Sequence, residues 1–445
     1  MTPLRRARER LLAQPVGGPF SLFLVLGAIL TVAGFAVFVL ALQGENTDRA
    51  WHLFLVNWLF FSSLATGSVA LAAVHKLAHA KWSGVILRYA EACVAFLPFQ
   101  LIGLLLVFGP GYHHIWPHME GLSHGKELWL SRPWMFGRLL VGLLALHGVA
   151  YALIRRDLLP DMRALLDRVP EKVRTRFQGW LGGYDGSAET ESLNENRIKR
   201  LAGIYIVLYA IVLSMIAFDT IMALQPHWFS NLLGGWFFMG AFLAAHMLLA
   251  LISMYGSGVM GMSDLISPKQ RHDLGKLCFG FTVFWAYLMW SQFLVIWYGN
   301  LPEETGFVFA RLWGPWLPVG RLVFLGMFVI PFVGLLGVAP KKFKPTLALF
   351  ATVSLVALWL ERYLLVLPSV TPEPGPVFGM PELGPTLGFL GLFLLCYGLF
   401  AQYFPMISPR LAMITLEGEA HHLATAEGMY EHDESEGDYA AEATD

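Results

Sequence analysis

The sequence predicts an all-α polytopic membrane protein with about ten transmembrane helices, arranged as two parallel-repeat four-helix bundles plus two peripheral helices. Three observations point there: the apolar residues fall into membrane-length blocks, basic residues cluster in every second connection, and the middle of the chain reads as two copies of one unit. Only 14% of the 445 residues are charged and 56% are hydrophobic, whereas soluble domains carry about a quarter charged residues. A net charge of −1 argues against a general polyanion-binding surface.

A helix rises about 1.5 Å per residue and needs roughly 20 apolar residues to cross the hydrocarbon core. Ten such blocks lie near 20–42, 54–75, 88–109, 134–154, 201–223, 230–256, 277–298, 317–337, 346–367 and 386–404. Arg5, Arg6, Arg8 and Arg10 precede the first block in the manner of a signal peptide. The block is too long for a signal h-region and no small-x-small cleavage site follows, so a retained first helix is expected.

Counting alternate connections from the N-terminus collects 24 of the 31 basic residues on one side, including Lys76, Lys81, Arg88, the run from Arg155 to Arg200, and Lys341, Lys342 and Lys344. The positive-inside rule then places both termini in the cytoplasm. Within loop 155–200, Asp157 to Phe177 is expected to lie on the membrane as a basic amphipathic helix, and the polar stretch Gly182 to Asn196 to be flexible. The tail 410–445 holds ten acidic residues and no basic residue after Arg410; a solvated, partly disordered segment or a partner-docking segment both fit.

The repeat divides the chain into an N-terminal region with the first helix (1–53), a first bundle (54–229), a second bundle (230–368), a tenth-helix region (369–409) and the tail. Trp58-Leu59-Phe60-Phe61 corresponds to Trp236-Phe237-Phe238-Met239. Pro133-Trp134 with Gly137-Arg138-Leu139 corresponds to Pro315-Trp316 with Gly320-Arg321-Leu322. A basic cluster opens the fifth and the ninth helix, and each carries an acid in its outer half, Asp219 and Glu361.

Ionisable groups in hydrocarbon cost roughly 2.5–3.5 kcal/mol on insertion scales, so they must be paired, hydrated or neutral. Arg138 and Asp219 sit at depths where neighbouring helices bring them together, and Arg321 and Glu361 repeat the arrangement. One buried acid–arginine pair per bundle, lining a hydrated proton path from the outer face, is the functional expectation; a purely structural ion pair is the alternative. Arg362 adjoins Glu361 but points about 100° away on a helix and is expected to need its own partner. His147 and His246 lie near mid-membrane, where proton relay, quinone contact, haem ligation (as in a di-haem membrane anchor) or a helix–helix hydrogen bond all fit. Tyr287, Ser291 and Gln292 are candidate water-chain or quinone-headgroup partners, although Tyr and Gln also join helices. Arg88 and Glu91 are spaced for an i,i+3 salt bridge. His113, His114, His118, Glu120 and His124 occupy one outer loop, but Pro117 breaks their spacing and no metal is assigned. Cys93, Cys278 and Cys396 stand singly in apolar runs, which excludes a CxxC-type cluster, a covalent c-type haem and a disulfide scaffold.

One stretch is distinctive: His272-Asp273-Leu274-Gly275-Lys276-Leu277, Phe284-Trp285-Ala286-Tyr287, Trp290-Ser291-Gln292-Phe293, and Ile296-Trp297-Tyr298-Gly299-Asn300-Leu301-Pro302-Glu303-Glu304. With Asn57-Trp58-Leu59-Phe60, Arg88-Tyr89-Ala90-Glu91-Ala92 and Phe96-Leu97-Pro98, it resembles the NrfD/polysulfide-reductase membrane-subunit family, and within it the ActF-type subunits of bacterial alternative complex III. The resemblance spans about residues 50 to 400. It implies two four-helix bundles plus peripheral helices, in a subunit of a respiratory electron-transport complex of the bacterial inner membrane that oxidises quinol and reduces cytochrome c or an oxidase. The implied partners are a paralogous NrfD-like membrane subunit, a periplasmic iron–sulfur subunit and c-type cytochrome subunits. Iron–sulfur clusters and haems would reside in those partners. The paralogue would be the better candidate for quinol oxidation, leaving this chain scaffolding, proton conduction coupled to quinol oxidation and a potential quinone (menaquinone) contact. With no redox-ligand motif of its own, the chain would have electrons enter and leave through partners. The competing reading is an autonomous secondary transporter with a midplane substrate site, in which Pro98 and Pro331 break helices.

Overall fold

The computed structural model describes residues 2–14, 16, 20–44, 47–116, 123–371 and 375–421. Most of the acidic tail (422–445) lies outside them, as do His118 and Glu120 and the side chain of His124. Among the described residues there is no strand. The protein is an all-α polytopic membrane protein, with ten helices long and apolar enough to span a bilayer. They are α1 (Ser21–Ala41), α2 (Thr47–Leu77), α3 (Leu87–Phe108), α4 (Arg132–Leu165), α5 (Ala188–Leu224), α6 (Leu232–Val259), α7 (Pro268–Gly299), α8 (Gly314–Gly334), α9 (Lys344–Val370) and α10 (Met380–Tyr403). Each matches one expected block.

Burial ranks these helices sharply. The apolar window of α2 is entirely enclosed by protein, and that of α6 is mostly so. Around α2 stand α3, α5, α6, α9 and α10. Polar side chains tie this core: Trp359 donates to Asn57 Oδ1 at 2.9 Å, and Tyr205 donates to the Thr66 carbonyl at 3.0 Å. Where α2 meets α6, a Cβ added at Gly67 would lie 2.5 Å from the Ala241 carbonyl oxygen, so only a hydrogen fits there. By contrast, the α1 window is only 17% buried. Its principal neighbour is α10, and a Cβ on Gly34 would sit 2.1 Å from the Gly388 nitrogen. Backbone contact through small residues is a main source of helix association in lipid, where apolar surface gains nothing from leaving water.

Both described ends of the chain lie on one face. The N-terminal helix Pro3–Leu12 is held by Arg10, which pairs with Asp264 at 2.7 Å. Gln14 exchanges hydrogen bonds with the backbone of Ile407.

Loop 155–200 departs from expectation. α4 continues through Leu165, carrying Asp157 and Asp161 into buried positions rather than onto the membrane surface. The separate helix Glu171–Leu181 rests against the end of α10, with Trp180 edge-on to Phe404 and Arg176 over the Tyr403 ring. The stretch expected to be flexible is helical from Ala188, because Ser187 caps that helix by accepting from the Thr190 amide.

Three spans are irregular. In α3 a 3-10 segment, Ala92–Phe96, precedes Pro98, whose missing N–H is tolerated in the first turn of the helix that follows. In α8 a π segment, Leu325–Val329, stands just ahead of Pro331. A second π segment, Ala217–Ile221, contains Asp219 and precedes the 3-10 turn Met222–Leu224 that ends α5.

Candidate functional site: buried charges and an aromatic cavity

Asp219 meets Arg138, as the sequence suggested. Asp219 lies in the π turn of α5, and Arg138 Nε reaches its Oδ2 at 2.6 Å while Nη2 engages Oδ1. The same guanidinium donates to the Trp129 carbonyl at 2.8 Å and lies over the Trp129 ring. Asp219 has no exposed surface. The forked geometry satisfies both oxygens, and Asp219 does not line the aromatic cavity.

The second expected pair does not form. Glu361 Oε2 is bonded by Arg362 Nη1 at 2.5 Å, and Oε1 accepts from Trp285 Nε1 at 3.0 Å. Arg362 therefore does not need a separate partner. Neighbouring Cβ atoms diverge on a helix, but a side chain as long as arginine curls back. Its Nη2 also donates to the Phe237 carbonyl at 3.3 Å, and the guanidinium covers the Phe237 ring. Gly240 makes that position available, since a Cβ there would come within 3.3 Å of Arg362 Nη2. Arg321 is exposed, and it makes no ion pair with Glu361.

Glu361 and Arg321 nevertheless share a space. Both line a cavity of about 410 Å³ between α7, α8, α9 and the helix Pro302–Leu312. Its wall is strongly aromatic, with Trp236, Trp285, Trp290, Phe293 and Trp313 among the lining residues. Gln292 also faces it; its Oε1 is buried and lacks a hydrogen-bond partner, as is true of Trp236 Nε1. Tyr287, placed with Gln292 in one expected water chain, is 60% exposed and does not border the cavity. Ser291 is half-buried and lies off the lining too.

The mid-membrane histidines are tied elsewhere. His147 Nε2 is 2.9 Å from Gln100 Oε1, a link between α4 and α3. His246 Nδ1 is 2.9 Å from the Phe242 carbonyl, and its ring stands 6.3 Å from that of His75. Neither borders the aromatic cavity. In the loop before α4, His114 is 2.6 Å from Asp48, and no cluster of three metal-ligating side chains occurs among the described residues.

The Arg88–Glu91 salt bridge forms at 2.9 Å, but it is one strand of a larger network. Arg88 also reaches Asp157 at 3.0 Å and Asp161 at 2.5 Å. Lys76 bridges Glu91 at 2.8 Å and Asp157 at 2.6 Å. Arg410 approaches Asp157 at 3.5 Å, and Ser408 donates to Asp161 at 2.8 Å. Three cations and three carboxylates thus join α2, α3, α4 and the segment after α10. Sequence reasoning missed Lys76, Asp157, Asp161 and Ser408 because it assigned 157–177 to a surface helix. The i,i+4 spacing of Asp157 and Asp161, on one face of a helix, was the available signal.

Comparison of the chain with protein-family models and with curated proteins gives no match.

Proposed function

We propose that this chain is a membrane subunit of a quinol:cytochrome c oxidoreductase complex in the bacterial inner membrane, where it scaffolds its partners and conducts protons coupled to quinol oxidation. Its termini lie in the cytoplasm, and its partners are a paralogous membrane subunit, an iron–sulfur subunit and c-type cytochromes that hold the redox centres. The observation that carries the reading is Glu361: a fully enclosed carboxylate that is hydrogen-bonded, ion-paired and bordered by a cavity large enough for water. Such a group exchanges a proton only through that cavity, because every other side is protein. Quinol oxidation is assigned to the complex; the contacts expected at His147 and His246 gain no support, since both rings are engaged away from the cavity.

The test is Glu361→Gln in the assembled complex, reconstituted into vesicles with quinol and an electron acceptor. Gln keeps an acceptor for Trp285 but carries no exchangeable acid. Assembly should survive while proton-coupled turnover falls on the order of 10²-fold, the low end for losing an acid–base group. Unchanged coupling rejects the reading.

The irregular segments in α3, α5 and α8 favour one competitor, an autonomous secondary transporter with broken helices around its substrate. Gentle purification from native membranes separates the two: a transporter emerges alone, and the subunit brings haem proteins with it.

A further inference from the structure

The aromatic cavity carries a charge that its own walls do not answer. Among the described residues, three charged side chains line it: Arg311, Arg321 and Glu361. Glu361 is already matched by Arg362, which leaves both arginines without a carboxylate among the described residues. Arg311 is the more telling one. It is 5% exposed, and its guanidinium bonds only neutral acceptors: the Phe307 carbonyl at 2.9 Å, the Leu365 carbonyl at 2.7 Å and Ser369 Oγ at 2.6 Å. Its Nε is buried with no partner. Burial works against its charge, yet a guanidinium stays protonated in proteins. An enclosed cation is ordinarily paired, and among the described residues this one meets no carboxylate. Arg321, exposed at the edge of the same cavity, adds a second cation.

The remaining wall is apolar and aromatic, and the volume of about 410 Å³ falls within the roughly 300–1,000 Å³ typical of ligand sites. We infer that this cavity binds an anion-headed amphiphile, its oxyanion held by Arg311 and Arg321 and its apolar tail lying along Trp290, Phe293 and Phe324. Two sources share that chemistry: the phosphate of an anionic phospholipid and the carboxylate of a fatty acid. The inference stands on the cavity alone and does not depend on the proposed coupling through Glu361.

The experiment is native mass spectrometry of the full chain in a neutral detergent, titrated separately with phosphatidylglycerol, phosphatidylcholine, oleate and menaquinone. The expected result is saturable binding of phosphatidylglycerol or oleate in preference to phosphatidylcholine, and the better of the two identifies the source. Arg321→Gln should weaken that binding roughly fivefold, the effect of one basic residue on an anionic headgroup, while Arg321→Lys retains it. Arg311→Gln should weaken it further. Should that buried variant fail to fold, Val308→Trp, which narrows the cavity without altering charge, should block binding instead. Equal affinity for phosphatidylglycerol and phosphatidylcholine overturns the inference. So does an anion preference that Arg321→Gln and Val308→Trp both leave intact, or menaquinone binding alone. Lipid binding is read on the isolated chain and proton coupling on the assembled complex, so a failure here is distinct from a failure of the coupling proposal.

Discussion

The Asp219 and Glu361 sites occupy matching positions in the two halves of the sequence, yet they close differently. Asp219 takes its arginine from the neighbouring helix and is gripped by both prongs of Arg138, with Trp129 laid over the guanidinium. Glu361 takes the arginine beside it in the chain and spends its other oxygen on Trp285. The consequence reaches past the acid itself. Arg138 is consumed in its pair, whereas Arg321, its counterpart, is released to the edge of a cavity. One site is a two-pronged clasp, and the other places a carboxylate and, among the described residues, an unpaired cation around one cavity. An acid–arginine pair in lipid is thus not one device: both acids are enclosed, but only Glu361 borders a cavity.

The largest effect that would test this contrast comes from stripping the clasp. Arg138→Met leaves Asp219 enclosed with no partner, which should cost about 3–5 kcal/mol of stability, because an uncompensated buried charge remains. The double variant Arg138→Met/Asp219→Leu should recover most of that loss. Thermal unfolding in detergent measures both, and equal losses in the single and double variants would show that the pair is not what holds α4 to α5.

A second measurement addresses openness directly. A membrane-soluble carbodiimide attacks protonated carboxyls that it can reach. Peptide mapping should find the adduct on Glu361 and not on Asp219, and Arg362→Gln should raise the yield at Glu361. Comparable labelling of both acids would erase the difference between the two sites.

The smallest effect serves as the solvent-side control. Arg10 and Asp264 also form a bidentate pair, but both are substantially exposed. Asp264→Asn should change stability by no more than about 1 kcal/mol, with salt reducing even that. The hydrogen bond from Arg10 holds the Asp264 carboxyl below its ordinary range. Its contribution is therefore present above the unfolded value of about 4 and fades as pH falls through the lower, folded value. A loss on the scale of Arg138→Met would mean that exposure does not separate these pairs.

The ten spans were legible because the bilayer imposes a length, and blocks of about 20 apolar residues satisfy it in few ways. The Arg138–Asp219 pair was legible for a related reason: depth along a helix can be counted, and α4 and α5 are joined in sequence. The choice between Arg321 and Arg362 for Glu361 was not legible, since it depends on helix rotation and on the room left by Gly240. Arg311 was passed over because it lies in a short helix between spans, where a basic residue looks solvated. Only the packing of that helix against α9, through the carbonyl of Leu365, shows it enclosed. The network around Arg88 was half-read for a similar reason: α4 runs on past the point where its apolar block ends.

The close seam between α1 and α10, where Gly34 meets Gly388 backbone to backbone, carries an implication for assembly. The two helices joined there are the first and the last of the ten to leave the ribosome. While eight spans are inserted in between, α1 has little else to lean on and must wait in lipid with its glycine groove unfilled. Completion of the fold is then signalled late, by a single zipping event. A chain stalled before Met380 would present that open groove to whatever surveillance the membrane provides.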